Sequence, residues 1–194
     1  MTRSTGQVQR VPSRSAVQYF RDADELIAHL EQLGRTPSCE GEGLTELDHG
    51  LQCAALLEAT HPEDVGLQVA GLVHDLAHPW DGPGQPRHAT MGADAVRSLL
   101  GDRIAELIIG HVPAKRFLVA VDPHYFGLLS PDSVMTLEAQ GGPMDAVEVA
   151  EFRADPHHEG MVALRIADDG AKVPGASVPG LGHWESAIRS LAAR

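Results

Sequence analysis

The stretch that decides the fold is VHDLAH, residues 73–78, in which His74 and Asp75 are adjacent and His78 lies four residues after His74. It ends an apolar run, VGLQVAGLVHDLAH, preceded by Asp64, a residue type that caps helices. Helical positions four apart share a face, so we expect His74 and His78 to face one cavity, with Asp75 about 100° around the helix. A carboxylate can bridge two cations, whereas an imidazole cannot, so the His-Asp pair favours a dinuclear centre. Taken alone, the dipeptide also fits a surface pair or a capped core histidine.

The segments on either side are also patterned as helices. Residues 1–12 are polar and aperiodic and are predicted to be a loose terminus. Apolar residues recur at helical steps in the segments that follow, and no alternating pattern long enough for a strand occurs. The predicted fold class is therefore all-α, with one domain over residues 1–194. The predicted helices are Ser15 to Gly34, TELDHGLQCAALLEAT, the run through VHDLAH, HATMGADAVRSLL, DRIAELIIGHV, a new segment beginning near Pro113, DSVMTLEAQ after Ser130-Pro131, MDAVEVAEF, roughly Glu159 to Asp169, and the C-terminus.

Composition and charge exclude several functional classes. The formal charge of −12 argues against a non-specific nucleic-acid binder, although a local pocket can still accept an anion. No apolar run approaches the length of a membrane span, so we expect no membrane partner. Two cysteines, Cys39 and Cys53, are too few for a disulfide scaffold, and a cytoplasmic location is the expectation.

Histidines and acids at helix-associated positions extend the motif. His49 lies in an amphipathic helix, His88 begins a helix after a Pro/Gly loop, His111 ends the run AELIIGH, and Asp168 lies in the apolar context RIADDGAK. Buried imidazoles and carboxylates are unfavourable unless they are paired or bind a metal. Nitrogen and carboxylate ligands without thiolate favour Fe, Mn, Zn or Co in a site with open positions, which indicates catalysis.

This order of ligands resembles the HD-domain superfamily of helical bundles, and His88 and His111 match its dinuclear branch. More narrowly, residues from about Glu42 to Gly175 resemble the mixed-valent diiron oxygenases that cleave the C–P bond of 1-hydroxylated organophosphonates. The resemblance implies two iron ions (Fe2+/Fe3+), with Asp75 in the bridging position. The six implied iron ligands are His49, His74, Asp75, His88, His111 and Asp168.

The same resemblance implies a binding site for the phosphonate. His78, Lys115, Ser133, Thr136 and Arg165 fall on the positions that hold its oxygens. These donors suit a tetrahedral dianion in an otherwise acidic protein. The alternatives are a solvated lysine and an ordinary helix face for the two hydroxyl residues.

The loop before the first histidine departs from the family pattern. Family members carry a tyrosine and a glutamate there, which close over the substrate amine. Here Glu42 fits the glutamate, but Cys39 stands at the tyrosine position. The smaller residue leaves room for a trimethylammonio group, which Glu42 and Trp80 would attract. The candidate catalytic side chains are His78 and Glu42, and Cys39 and Glu42 are assigned to substrate binding.

The expected activity is therefore O2-dependent cleavage of a 1-hydroxy-2-(trimethylammonio or amino)ethylphosphonate to phosphate and glycine betaine or glycine. The small-molecule partners are the organophosphonate and O2. One alternative is a metal-dependent HD phosphohydrolase acting on a small phosphate ester. Another is a catalytically silent HD domain that acts as a sensor, against which the complete ligand set argues.

Overall fold

The part of the chain that the computed structural model describes is helical. It comprises residues 19–38, 42–81 and 87–193, with residue 132 described by its backbone alone. No strand occurs among these residues, and a single β-bridge pairs Pro37 with Thr45. The all-α prediction is confirmed. The elements are α1 (Ala23–Leu33), α2 (Glu46–Thr60), α3 (Val65–Val73), α4 (His78–Asp81), α5 (His88–Leu100), α6 (Asp102–Val121), a 3-10 helix (Tyr125–Leu128), α7 (Pro131–Ala139), α8 (Ala146–Ala154), α9 (His158–Gly170) and α10 (Leu181–Ala192).

Helix α3 is the centre of the molecule. Every residue from Leu67 to Val73 is buried, which is expected of a helix that is apolar all round. It packs against α2, α6, α9 and α10, while α5 lies along α6. Where α2 crosses α3, Gly50 approaches Leu72 so closely that a Cβ at position 50 would lie 2.4 Å from the Leu72 carbonyl oxygen. Because of this close crossing, His49, which precedes Gly50, lies at the same level of the bundle as Val73, which follows Leu72.

Two helices begin at the capping residues that the sequence predicts. The side chain of Asp64 accepts a hydrogen bond from Leu67 N at 3.0 Å, and Ser130 accepts one from Ser133 N at 3.1 Å with Pro131 in the first turn. α5 begins at His88, as predicted. The start of α1 was predicted wrongly, because Tyr19–Asp22 are not helical and the Asp22 side chain caps a helix that begins at Ala23. Residues 15–18 lie outside the described part.

The helix through VHDLAH ends earlier than predicted. α3 stops at Val73, residues 74–77 form turns, and α4 begins at His78. His74 Nδ1 donates to the Gly71 carbonyl at 2.8 Å, the acceptor that a continuing helix would use for the amide of residue 75. The next bonds are of the tighter i to i−3 kind, such as Leu76 N to Val73 O at 3.2 Å. The prediction of one continuous helix was therefore wrong, although both rings reach Asp75, with Nε2 of His74 and His78 at 3.3 and 3.6 Å from its oxygens.

Helix α6 continues through Pro113, where a new segment was predicted. An interior proline removes a hydrogen bond and costs about 3 kcal/mol. Beyond it, Ala114, Lys115 and Phe117 are all buried. Packing of this second half against α9 and α8 outweighs the local cost, so one helix carries both His111 and Lys115.

A short ion pair closes the connection between α4 and α5. Asp81 accepts hydrogen bonds from the Arg87 backbone N and from Arg87 Nη2, both at 2.8 Å. The Asp81 side chain is fully buried. Since Arg87 immediately precedes His88, this pair fixes the position at which α5 begins.

Candidate metal centre

The six predicted metal ligands come from different elements and meet in the interior. His49 lies in α2, His74 and Asp75 in the turn after α3, and His88 at the first residue of α5. His111 lies in the middle of α6 and Asp168 near the end of α9. All six are buried, with relative exposure from 0% for His49 and His74 to 8% for His88.

One group of side chains consists of His49, His74, Asp75 and Asp168, whose ligand atoms lie within 4.8 Å of one another. His49 Nε2 is 3.3 Å from Asp168 Oδ1 and 3.5 Å from Asp75 Oδ2. His74 Nε2 is 3.3 Å from the same oxygen of Asp75. These four donors converge on one point.

The second group shares Asp75 with the first and adds His88 and His111. His88 Nε2 lies 3.5 Å, and His111 Nε2 3.8 Å, from Asp75 Oδ1. Oδ1 of Asp75 thus faces the second group while Oδ2 faces the first. This is the geometry of a carboxylate placed between two cation positions.

Backbone carbonyls orient three of the imidazoles. Nδ1 of His49, His74 and His111 contacts the carbonyls of Ala171, Gly71 and Ile108 at 2.9, 2.8 and 2.6 Å. A proton on each Nδ1 leaves the lone pair of Nε2 facing inward, the arrangement usual for metal-bound histidines. The inward nitrogens nearly touch, at 3.3 Å for His49 with His74 and 3.3 Å for His88 with His111.

The electrostatics of the cluster also fit a bound cation. Asp75 Oδ1 and Asp168 Oδ1 are buried and accept no hydrogen bond from the residues that the structure describes. Burial opposes ionisation of Asp168, but the charge of Arg165 and the nearby His49 and His74 hold its pKa well below the usual range. Burial likewise opposes a charge on His74, yet Asp75 and Asp168 raise its pKa to about 9. Paired anionic oxygens and buried imidazoles are the donor set of a metal site.

The predicted phosphonate-binding residues form a second cluster beside the first. Lys115 is only 2% exposed, and its Nζ donates to Thr136 Oγ1 at 2.7 Å and to the Ser133 carbonyl at 3.3 Å. Arg165 Nη2 lies 3.4 Å from Ser133 Oγ, while Arg165 Nη1 contacts Asp168 Oδ2 at 2.7 Å. The structure therefore joins Lys115, Ser133, Thr136 and Arg165 into one network that reaches the metal cluster.

His78 Nε2 lies 3.6 Å from Asp75 Oδ1, the oxygen that also faces His88, and the rings of His78 and His88 contact each other with centroids 4.3 Å apart. Glu42 is exposed, and the described contacts do not bring its side chain to the cluster. Trp80 contacts the rings of Phe20 and His29. Cys39 lies outside the described residues.

Sequence reasoning missed three residues at this site. Glu46 is buried and its Oε2 lies 3.3 Å from His78 Nδ1, on the side of the ring opposite Asp75. Tyr125 and Asp169 contact each other and Arg165. Glu46 stands one helical turn before His49 and Asp169 directly follows Asp168, so helical neighbourhood was a usable signal for both. Tyr125 gave none, because its position depends on how the 3-10 helix packs.

Comparison with known proteins gives this site a context. No family model matches the chain. The chain is 37% identical over 164 residues to hydroxymethylphosphonate dioxygenase of Gimesia maris, covering 77% of this chain and 78% of that protein. It is 33% identical over 160 residues to the glycine-betaine-forming [1-hydroxy-2-(trimethylamino)ethyl]phosphonate dioxygenase of Leisingera caerulea, covering 78% and 81%. An uncharacterized protein of Acanthamoeba polyphaga mimivirus is 30% identical over 179 residues.

Fold and site together define an all-helical enzyme with a buried His/Asp cluster suited to a metal cofactor. The chain belongs to the HD-domain phosphonate dioxygenase family, an oxidoreductase family, and this prediction from the sequence is confirmed. In the described residues, no helix is both long enough and apolar enough to span a membrane.

Proposed function

We propose that the chain is a diiron oxygenase that uses O2 to cleave the C–P bond of a 1-hydroxyalkylphosphonate. The observation that carries this proposal is the position of Asp75, whose two carboxylate oxygens face separate groups of histidines. Such a carboxylate indicates a two-metal centre, which a metal-dependent phosphohydrolase could also have. The names of the two dioxygenase relatives point to the same reaction class.

In this proposal His49, His74 and Asp168 would hold one iron and His88 and His111 would hold the other, with Asp75 offering one carboxylate oxygen to each. Six protein side chains leave coordination positions open at two metals. The iron pair, one Fe2+ and one Fe3+ when bound, supplies the redox chemistry that activates O2. The six side chains are buried, so the protein shields the metal positions from bulk water.

The chain's own residues bind and orient the substrate. Lys115 provides a buried positive charge that contacts the Thr136 hydroxyl and the Ser133 carbonyl. In this proposal Lys115 and the hydroxyls of Ser133 and Thr136 donate to phosphonate oxygens. His78, whose Nε2 lies 3.6 Å from Asp75 Oδ1, provides a ring nitrogen for the phosphonate or for the C1 hydroxyl. When these donors hold the phosphonate and the hydroxyl, C1 of the substrate lies beside the metal cluster.

The overall reaction balances without any other reactant. One O2 adds both its atoms, R–CH(OH)–PO3 loses the C–P bond, and the products are the carboxylic acid RCOOH and phosphate. A trimethylammoniomethyl substituent gives glycine betaine, and an aminomethyl substituent gives glycine.

For the substituent, we propose the trimethylammonio group over the primary amine. Cys39 leaves volume where the family has tyrosine, and Glu42 provides negative charge. A quaternary ammonium has no N–H to satisfy and needs only space and a nearby anion. A substrate without any amine, hydroxymethylphosphonate, is the second candidate. It is favoured by the relative that is named for it and by the exposure of Glu42. It would give formate and phosphate.

The test is O2 uptake and phosphate release by the anaerobically iron-loaded protein, measured with the trimethylammonio, amino and hydroxymethyl substrates. Mössbauer spectroscopy of the same sample reports the iron pair. We expect one phosphate per O2, with the largest kcat/KM for the trimethylammonio substrate and a shift toward the primary amine in Cys39→Tyr. Phosphate release from phosphate esters without O2 would instead establish the phosphohydrolase. If the ratio of kcat/KM for the trimethylammonio and amino substrates is unchanged in Cys39→Tyr, position 39 does not set the substrate preference. The oxygenase proposal would be unaffected.

A further inference from the structure

Arg165 has more partners than a substrate-binding arginine needs. The residue is 5% exposed and lies in α9 with Asp168 and Asp169 on its own helix. Nη1 contacts Asp168 Oδ2 at 2.7 Å, and Nη2 contacts Asp169 Oδ1 and, at 3.4 Å, Ser133 Oγ. Nε lies 3.1 Å from both Asp169 Oδ2 and the Tyr125 hydroxyl.

These contacts occupy most of the guanidinium. They engage Nε, both hydrogens of Nη2 and one of Nη1, and they come from two carboxylates and two hydroxyls. Because the group is planar and rigid, fixing Nε and Nη2 also fixes where Nη1 points. That direction is toward Asp168, whose other oxygen, Oδ1, lies 3.3 Å from His49 Nε2.

We propose that Tyr125 and Asp169 are positioning residues that hold Arg165 against Asp168, so that Asp168 turns Oδ1 toward the metal cluster. This inference rests on the proposed metal-ligand role of Asp168. A carboxylate held through one oxygen by a fixed arginine offers its other oxygen as a single ligand atom. Without Tyr125 and Asp169 to fix Arg165, the carboxylate of Asp168 can rotate. A mobile Arg165 can then pair with Asp168 Oδ1 and draw that oxygen away from the cluster.

Tyr125 suits this task because a phenol both donates and accepts. Its hydroxyl donates to Asp169 Oδ2 and accepts from Arg165 Nε, closing a triangle of charged and polar groups. Burial raises the pKa of Tyr125, so the hydroxyl keeps the proton that it donates. Phenylalanine fills the same space but leaves Arg165 and Asp169 each without one partner.

The position of Tyr125 ties the two halves of the site together. It lies in the 3-10 helix (Tyr125–Leu128) between α6, which carries Lys115, and α7, which carries Ser133. Ser133 contacts Arg165 from one side and Asp169 contacts it from the other. Arg165 therefore keeps its orientation toward Asp168 even when Ser133 turns to a bound anion.

The test compares ferrous-iron affinity, measured anaerobically by competition with ferrozine, in wild type, Tyr125→Phe, Asp169→Asn and the control Tyr19→Phe. Tyr19 is the other tyrosine of the chain and is 62% exposed. We expect Tyr125→Phe and Asp169→Asn to bind iron about 10- to 100-fold more weakly, the range for residues that orient metal ligands. The control is expected to match wild type. Each metal-free variant should keep its secondary structure by circular dichroism, which separates weak metal binding from misfolding.

Activity gives the second readout. A positioning role predicts that added iron restores much of kcat in Tyr125→Phe while KM for the phosphonate stays near that of wild type. If Tyr125→Phe and Asp169→Asn bind iron as wild type does and only KM rises, Arg165 serves the substrate alone and the proposal is wrong. Should Tyr125→Phe fail to fold, Asp169→Asn decides, because it keeps the size of the side chain and removes its charge. Because iron affinity is measured without substrate, this result stands even if the C–P cleavage assay fails. An Asp168→Asn variant that binds both irons normally would refute the ligand assignment itself.

Discussion

The two oxygens of Asp75 face different groups of histidines, so this residue has consequences for both metal positions. We expect Asp75→Ala to lose both metals, whereas removal of a ligand that belongs to one group should spare the other metal in part. Metal analysis of the purified variants measures this. Asp102→Ala is the control, since that side chain is 84% exposed at the start of α6. Retention of one full equivalent of metal in Asp75→Ala would contradict a bridging role.

Glu46 contacts His78 at Nδ1, the ring nitrogen that does not face Asp75. We expect the hydrogen-bond acceptor of Glu46 to orient the ring, so that its negative charge matters less than its shape. His78 Nδ1 lies 3.3 Å from Glu46 Oε2 and Nε2 faces Asp75 Oδ1. Glu46→Gln keeps an acceptor and should retain most of kcat, whereas Glu46→Ala should lower kcat about tenfold by freeing the ring. Steady-state kinetics at saturating O2 gives the comparison. Equal rates for the two variants would show that Glu46 does not orient His78.

The sequence predicted which six residues form the buried cluster, but it did not predict the residues that contact and support them. The order of histidines and aspartates was sufficient for the six cluster residues, because each sits in a helical context that predicts burial. Tyr125 was missed because its contacts with Arg165 and Asp169 arise only when the 3-10 helix packs beside α9. Asp169 was missed although it lies four residues after Arg165 on the same helix, a spacing that the sequence shows.

Among the elements, the crossing of α2 and α3 controls how close His49 comes to His74. A Cβ on residue 50 would meet the backbone oxygen of Leu72 at 2.4 Å, and backbone cannot move aside as a side chain can. We expect Gly50→Ala to lower the free energy of unfolding by about 1–3 kcal/mol. It should also weaken metal binding, since His49 moves with α2. Urea denaturation and metal analysis measure the two effects.

Gly182→Ala is the matched control for that substitution. Gly182 lies in α10, and a Cβ there would meet no atom within 4 Å. Alanine has the higher helix propensity, so this variant should be unchanged or more stable by up to about 1 kcal/mol, with normal metal content. If Gly50→Ala is as stable as Gly182→Ala and binds metal normally, α2 and α3 can move apart without a loss in the free energy of unfolding.

Helix boundaries could be predicted where a capping side chain marks them, and not where tertiary contacts decide. Asp64 and Ser130 cap α3 and α7 as the sequence indicates. The end of α3 depends on a ring hydrogen bond from His74, and the passage of α6 through Pro113 depends on burial of the residues beyond it. Neither is visible in local propensity.

For the molecule as a whole, metal binding should compete with protons. In the metal-free protein Asp75 and Asp168 raise the pKa of His74 to about 9 and that of His49 above its usual value, despite burial. These rings are therefore protonated at pH 7, and a metal must displace the protons. Metal affinity should rise between pH 7 and about 9 as His74 loses its proton, by about tenfold per unit for each proton displaced, and less steeply once His74 is neutral.

Measuring zinc affinity at several pH values, together with proton release in weak buffer, tests this. Zinc avoids oxidation during the titration. Release of more protons at pH 7 than near pH 10 is the expected result. An affinity that does not change between pH 6.5 and 9 would show that the imidazoles are already neutral without metal.

The Asp81–Arg87 pair has a consequence for engineering this chain. It ties together the two ends of residues 82–86, so the geometry of His88 is decoupled from whatever sequence joins them. Doubling the length of a flexible connection costs only about 0.6 kcal/mol in closure entropy. We therefore expect an affinity tag or a reporter peptide inserted between Asp81 and Arg87 to leave His88 in place, provided that both residues are kept.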